Sequence, residues 1–261
     1  MKTSIYKRIS FIFVSFSLFA FLGCTETEDL TSIMMIDYVD EYGVNHGQGV
    51  EIDGVVWAPV NCGYHETDYK YGKLYQWGRK YGQGYDSSDA SVPSIVSGPV
   101  SLSTGQSEPN SDKYYSNSSS PYDWVSPQDS TLWNSGTEAN PVKTEYDPCP
   151  EGWRVPTLAE LNGLKANRSS WTTNENQNGY WFSGSRVYSK SASRVFFPAA
   201  GCRNYLDGNA SYQGYRGYYW SSRTYSNDAY DLYFNNSPSS VYMYYAYCAY
   251  GFSVRCVQVT D

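Results

Sequence analysis

Two histidines and a scatter of cysteines and carboxylates are the residues of this chain that could do acid–base or covalent chemistry. His65 follows Cys62 by three positions. At that spacing an imidazole could take the proton of a thiol and leave a nucleophile. The plainer reading is a surface histidine near a structural cysteine. His46, in Asn45-His46-Gly47, sits in a polar stretch near the N-terminal end. The sequence holds no Gly-x-Ser-x-Gly and no His-Glu-x-x-His, so neither a nucleophile elbow nor a zinc-protease helix is encoded. No Cys-x-x-Cys occurs either, and a tetrahedral zinc set has no obvious source. Glycine-rich stretches are present, but without the strand-to-helix frame of a phosphate loop. Acidic pairs remain, yet nothing in a sequence fixes the separation of about 5 or 9 Å that glycosidases use. The balance favours a chain that is not an enzyme.

A sixth cysteine has a different setting. Lys2, Lys7 and Arg8 precede an uncharged run from Ile9 to Leu22, the pattern of a secretory signal peptide. The run is short against the roughly 20 apolar residues of a membrane-crossing helix. It ends Phe21-Leu22-Gly23-Cys24, which resembles the lipobox of bacterial lipoproteins. That resemblance implies cleavage after residue 23 and a lipid on the Cys24 thiol. Glu26, Glu28 and Asp29 follow and resemble the surface-export signal of lipoproteins of the Bacteroides group. The expected place is the outer membrane, lipid-anchored and facing outside.

With the leader removed, 238 residues remain, carrying 16 basic against 26 acidic side chains. That acidity excludes nucleic acid as a partner, because phosphate binding rests on basic patches. The chain holds 28 Tyr, 8 Trp and 10 Phe. Tyrosine offers a large ring with a hydroxyl handle, a composition that suits recognition of carbohydrate, peptide or protein and equally suits filling a core. Five cysteines follow Cys24, namely Cys62, Cys149, Cys202, Cys248 and Cys256. Five cannot all pair within one chain, so one is free or bonded elsewhere.

The elements that must position these residues read as short and mostly extended. Residues 24–47 form a tether and lead-in, with one strand around Ile33–Val39. Val50 to Ala58 reads as a hairpin turning at Asp53-Gly54. A weak strand is expected around Leu74–Trp77. Residues 86–145 are dominated by Ser, Asp, Asn and Pro, punctuated by Trp124 and Trp133; they read as a long irregular insertion that is ordered because its tryptophans need burial. Thr157 followed by Glu160 is a capping box, opening a short helix over about 158–167 with Leu158, Leu161 and Leu164 on its apolar stripe. Gly179-Tyr180-Trp181-Phe182-Ser183 is echoed by Gly217-Tyr218-Tyr219-Trp220-Ser221, and each is followed by an alternating run, which predicts two related hairpins in one sheet. Gly251 to Val257 predicts a final strand with Phe252, Val254 and Cys256 on one face. The reading is one α+β domain over residues 48–261.

Trp57-Ala58-Pro59, the run Tyr71 to Gly78, Cys149-Pro150-Glu151-Gly152-Trp153-Arg154-Val155-Pro156-Thr157, Gly217-Tyr218-Tyr219-Trp220-Ser221-Ser222 and Gly251-Phe252-Ser253-Val254-Arg255-Cys256-Val257 together resemble the Fibrobacter succinogenes major paralogous domain, over roughly residues 50–259. More remotely, a helix followed by Trp-rich strands and a last strand carrying Cys resembles a C-type lectin-like fold, with short helices, twisted antiparallel sheets and long irregular loops. That resemblance implies a disulfide between Cys149 and Cys256 and a second between Cys202 and Cys248. Cys62 is then free, or displaces one of these pairings. The lectin calcium loop is matched only by letters at Glu108-Pro109-Asn110, which lies before the helix where the family has it after. Ser226-Asn227-Asp228 is a partial echo of its second motif. No cofactor is implied, and calcium is the one metal the Asp and Asn side chains leave open. Ligand loops in such folds lie at the repeated hairpins. This places a binding site at Trp181, Arg186, Tyr188, Trp220, Arg223, Tyr225, Asn227 and Asp228. The expected function is a surface binding or adhesion module for glycan, with an envelope or pilus-tip assembly component that binds protein as the alternative.

Overall fold

The computed structural model describes residues 34–85, 94–165, 168–184, 194–237 and 240–260. All of them belong to one compact unit, Ile33–Asp261. The leader and Cys24 lie outside the described residues. No helix among the described residues is long and apolar enough to cross a membrane.

The chain is built mostly of short strands with a few short helices. The largest sheet has seven strands. Its order runs Ala210–Ser211, Cys202–Arg203, Gly251–Ser253, Arg216–Tyr225, Asp228–Asn235 and Val241–Tyr247, and Leu74–Gln76 pairs with Gly251–Ser253 off that path. A four-stranded sheet joins Val50–Ile52, Val55–Trp57, Val257–Gln258 and Trp153–Arg154. Arg194–Pro198, Gln177–Ser183 and Thr172–Asn174 make a three-stranded sheet.

Local chemistry explains several of these elements. Asp53 and Gly54 both have positive φ, 50° and 85°, which is what a two-residue hairpin turn demands. The helix Leu158–Leu164 opens with a complete capping box: Thr157 Oγ1 accepts from Glu160 N, and Glu160 Oε2 accepts from Thr157 N at 2.7 Å. The same carboxylate receives both guanidinium nitrogens of Arg154, at 2.8 and 2.6 Å, so one acid caps the helix and fixes it to the strand before it. Leu161 and Leu164 face the core.

The stretch 94–145 is tied down by polar groups that have nowhere else to bond. Gln76 is fully buried; its amide donates to Tyr115 O and Ala249 O and its carbonyl accepts from Tyr115 N. The buried Arg79 guanidinium donates to the carbonyls of Gly105, Lys113 and Asn110. Trp124 and Trp133 are buried, and their indole nitrogens donate to Trp77 O and Arg79 O.

Two expectations are corrected. The echoed segments lie in different sheets, Gln177–Ser183 in the three-stranded one and Arg216–Tyr225 in the seven-stranded one. The final strand is also two strands: Gly251–Ser253 serves the large sheet and Val257–Gln258 the four-stranded one. Every residue from Gly251 to Gln258 is buried, because the segment crosses between layers and has no solvent face. Arg255 lies in that crossing. It is satisfied by Asn61 Oδ1, Ala58 O and Phe196 O at 2.8 to 2.9 Å, while its guanidinium lies 4.7 Å from the centre of the Phe197 ring.

The N-terminal lead-in is fixed at the opposite end of the sequence. Gln258 accepts from Ile36 N and donates to Met34 O, and Trp153 Nε1 donates to Asp37 O.

Candidate functional site: a tyrosine-walled cavity over Asp231

The strands Arg216–Tyr225, Asp228–Asn235 and Val241–Tyr247 pair in antiparallel order, with Asp231 opposite Trp220 on one side and Tyr244 on the other. Ala229, Leu232 and Phe234 on the same strand are buried. Asp231 is buried with them, and neither carboxylate oxygen has a hydrogen-bond partner among the described residues. Burial pushes its carboxyl up to about 8, so near neutral pH it is largely a neutral acid with an unused donor and acceptor.

Asp231 lines a cavity of about 440 Å³, within the range of small-molecule sites. Tyr218, Tyr244, Tyr245, Tyr247, Tyr250 and Phe252 form its aromatic wall. Tyr218 stacks on Phe252 at 4.7 Å, and Tyr250 follows at 5.3 Å from Phe252. The polar rim comprises Asn204, Ser211, Arg216 and Asp228. Arg216 is already engaged: its guanidinium lies 3.9 Å from the Tyr212 ring centre and donates to Tyr218 Oη at 3.3 Å. Burial raises the Asp228 carboxyl. Cys202 also lines the cavity; burial pushes its thiol up to about 11, with Ser211 and Arg216 pulling the other way. The lining holds no imidazole; its ionisable partners for the thiol are Asp228, Asp231 and Arg216. The arrangement offers flat rings, a buried carboxyl and a polar rim, which is equipment for binding.

The residues predicted from sequence are distributed differently. Asp228 lines the cavity. Tyr225 is exposed beside it, packed on Tyr245 at 4.9 Å and Tyr230 at 5.4 Å. Asn227 and Arg223 are exposed and are absent from the lining; the Asn227 carbonyl is taken up by Gln128 Nε2 and the Cys248 thiol. Trp220 is corrected from ligand contact to core. It is fully buried, its indole donates to Tyr75 O at 2.8 Å, and its ring lies 4.3 Å from Phe252. Trp181 is half-buried beneath the Arg194 guanidinium at 4.3 Å and lines a separate cavity of about 300 Å³ with Asn61, Tyr71 and Phe196. Arg186 and Tyr188 lie outside the described residues. Asp231, Tyr218, Tyr244 and Tyr250 were not anticipated; the one signal was an acid in the middle of the alternating run Ala229 to Phe234.

The cysteines sort as follows. Cys149 and Cys256 are joined by a disulfide across 107 residues. Asp147 shapes its first half by accepting from Cys149 N and Val155 N while holding Lys143 Nζ. The pairing of Cys202 with Cys248 is corrected: both are free and buried. Cys202 faces Ser211 Oγ and Cys248 faces Asn227 O, so each thiol has settled on a different polar partner. Cys62 is free as well. Its thiol donates to Pro148 O and accepts from Tyr75 Oη, while His65 Nδ1 is engaged with Asp68. Cys62, Cys149 and Cys256 converge as a possible metal-ligand group by distance alone, but two of the three sulfurs are spent on the disulfide, and a lone thiol is not a metal site.

Residues 164–257 match a domain of unknown function, DUF8237. That span contains every residue lining the cavity over Asp231. No curated protein and no solved structure matches the chain.

Proposed function

We propose that this chain is a surface-exposed lipoprotein, anchored through Cys24, that acts as a non-catalytic binding or adhesion module on a C-type lectin-like scaffold, and that it takes a glycan unit in the cavity over Asp231. The observation that carries the reading is a buried carboxyl without a partner under a wall of tyrosine rings. Rings stack on the apolar faces of sugars, and the carboxyl and the Asn204 amide bond hydroxyl groups. Asp228 belongs to this site. The test is a glycan-array screen with and without calcium, repeated with Asp228→Ala. Reproducible binding to a defined glycan that the substitution removes supports the reading. No binding to any glycan by a folded protein rejects it.

A second reading, an assembly component that binds protein, draws on the strand Val241–Tyr247. It stands at one end of the seven-stranded order, and Tyr242, Tyr244 and Tyr245 are exposed. Such an edge can accept a partner strand. A negative array with capture of an envelope protein, lost on placing a proline in that strand, would favour it.

A further inference from the structure

Cys62 is a buried thiol placed against a disulfide. Its sulfur and those of Cys149 and Cys256 all lie within 4.8 Å of one another, and no other free cysteine among the described residues joins that group. The thiol proton points to Pro148 O at 3.2 Å, next to Cys149 in the chain. Tyr75 Oη donates to the same sulfur at 3.3 Å, a contact that stabilises a thiolate. Tyr38 Oη lies 3.9 Å from Cys256 Sγ, where it can stabilise a departing sulfur, and it also interacts with Cys62.

We propose that Cys62 is the exchange partner of the Cys149–Cys256 disulfide, attacking Cys149 Sγ so that the crosslink migrates to Cys62–Cys149 and Cys256 is released as a thiol. The step is an isomerisation. One S–S bond breaks as another forms, the Cys62 proton is lost and Cys256 gains one, and no oxidant or reductant is consumed. The crosslink that ties the loop before the helix to the crossing between Gly251–Ser253 and Val257–Gln258 becomes one that ties it to the Gly63 turn.

The core sets the rate. Burial pushes the Cys62 thiol up to about 12, with Tyr75 and Lys143 drawing it down and Glu41 and Asp147 pushing it up. Since the thiolate is the attacking species, the native pairing persists at neutral pH. Exchange quickens in alkali or when the core loosens.

The full-length protein, held without added thiol at pH 7 to 10, quenched in acid and digested at low pH, tests this by mass spectrometry of crosslinked peptides. The expected result is a Cys62–Cys149 peptide whose rate of appearance rises about tenfold per pH unit. Cys256→Ser made in an oxidising compartment is expected to carry the same bond. If that variant fails to fold, the wild-type series still decides. The proposal is overturned if Cys149–Cys256 remains the sole pair of these three at pH 10, or if pairs carrying Cys202 or Cys248 form as readily.

Discussion

Asp231 stands opposite Tyr244 across the ladder between Asp228–Asn235 and Val241–Tyr247, the acid 1 % exposed and the tyrosine 54 % exposed. One register position thus runs from the floor of the cavity to its mouth, and the two residues have opposite expected phenotypes.

Asp231 should report on pH. Its carboxyl is raised in the folded chain to about 8, against about 3.9 when unfolded. Between those values the folded state keeps a proton that the unfolded state gives up. Stability therefore falls as pH rises from about 4 to about 8, by at most about 1.4 kcal/mol per unit. Asp123, raised by burial to about 6, adds the same sign over a narrower window. Asp231→Asn is expected to raise the melting temperature at pH 8 by roughly 10 °C or more and to leave it unchanged at pH 4. Parallel melting curves across that range would refute the assignment.

Tyr244 should report on ligand. Tyr244→Ala and Asp228→Ala each weaken binding of a glycan identified on the array at least about tenfold, about 1.4 kcal/mol, while moving the melting temperature little, since Tyr244 is exposed and Asp228 only half-buried. Trp220→Ala, by contrast, costs about 3–5 kcal/mol and is read as loss of folded protein. Equal loss of fold in all three would remove the distinction between wall and core.

Arg255 tests the crossing between sheets. Arg255→Ala strands Asn61, Ala58 O and Phe196 O and is expected to cost about 3–5 kcal/mol in urea denaturation. Arg255→Lys recovers little, since an ammonium cannot reproduce three divergent donors.

Gly217 and Phe234 are direct cross-strand partners. A Cβ on Gly217 would run into the Phe234 ring. Gly217→Ala should cost about 1–3 kcal/mol by overpacking, and Gly217→Ala with Phe234→Leu should recover part of it. A single variant as stable as the parent would show that the ring can move.

The parts of this fold legible in the sequence are those whose cause is local. Asp53-Gly54 announces a turn, and Thr157 with Glu160 announces a helix start, because each motif satisfies backbone groups within a few residues. The final strand misled because alternation from Phe252 to Cys256 implies one wet face, whereas Arg255 buries its charge among carbonyls contributed by residues 58 and 196. Asp231 was missed for a related reason. Nothing in its neighbours says that an acid will be placed in a core without a partner; that is set by Trp220 and Tyr244 on two other strands. Cys202 and Cys248 show the limit of reasoning by resemblance, since a shared spacing does not guarantee that two side chains meet.

The grip of Gln258 on Met34 and Ile36 has a mechanical meaning. Tension applied to the chain ahead of Met34 enters the body at its C-terminal strand, two residues from Cys256. The covalent bond to Cys149 then carries that load to the loop leading into the helix Leu158–Leu164. Force is thereby routed through one crosslinked corner of the molecule, and the sheet that walls the cavity, whose edge strand ends at Tyr247, is spared the first share of the strain.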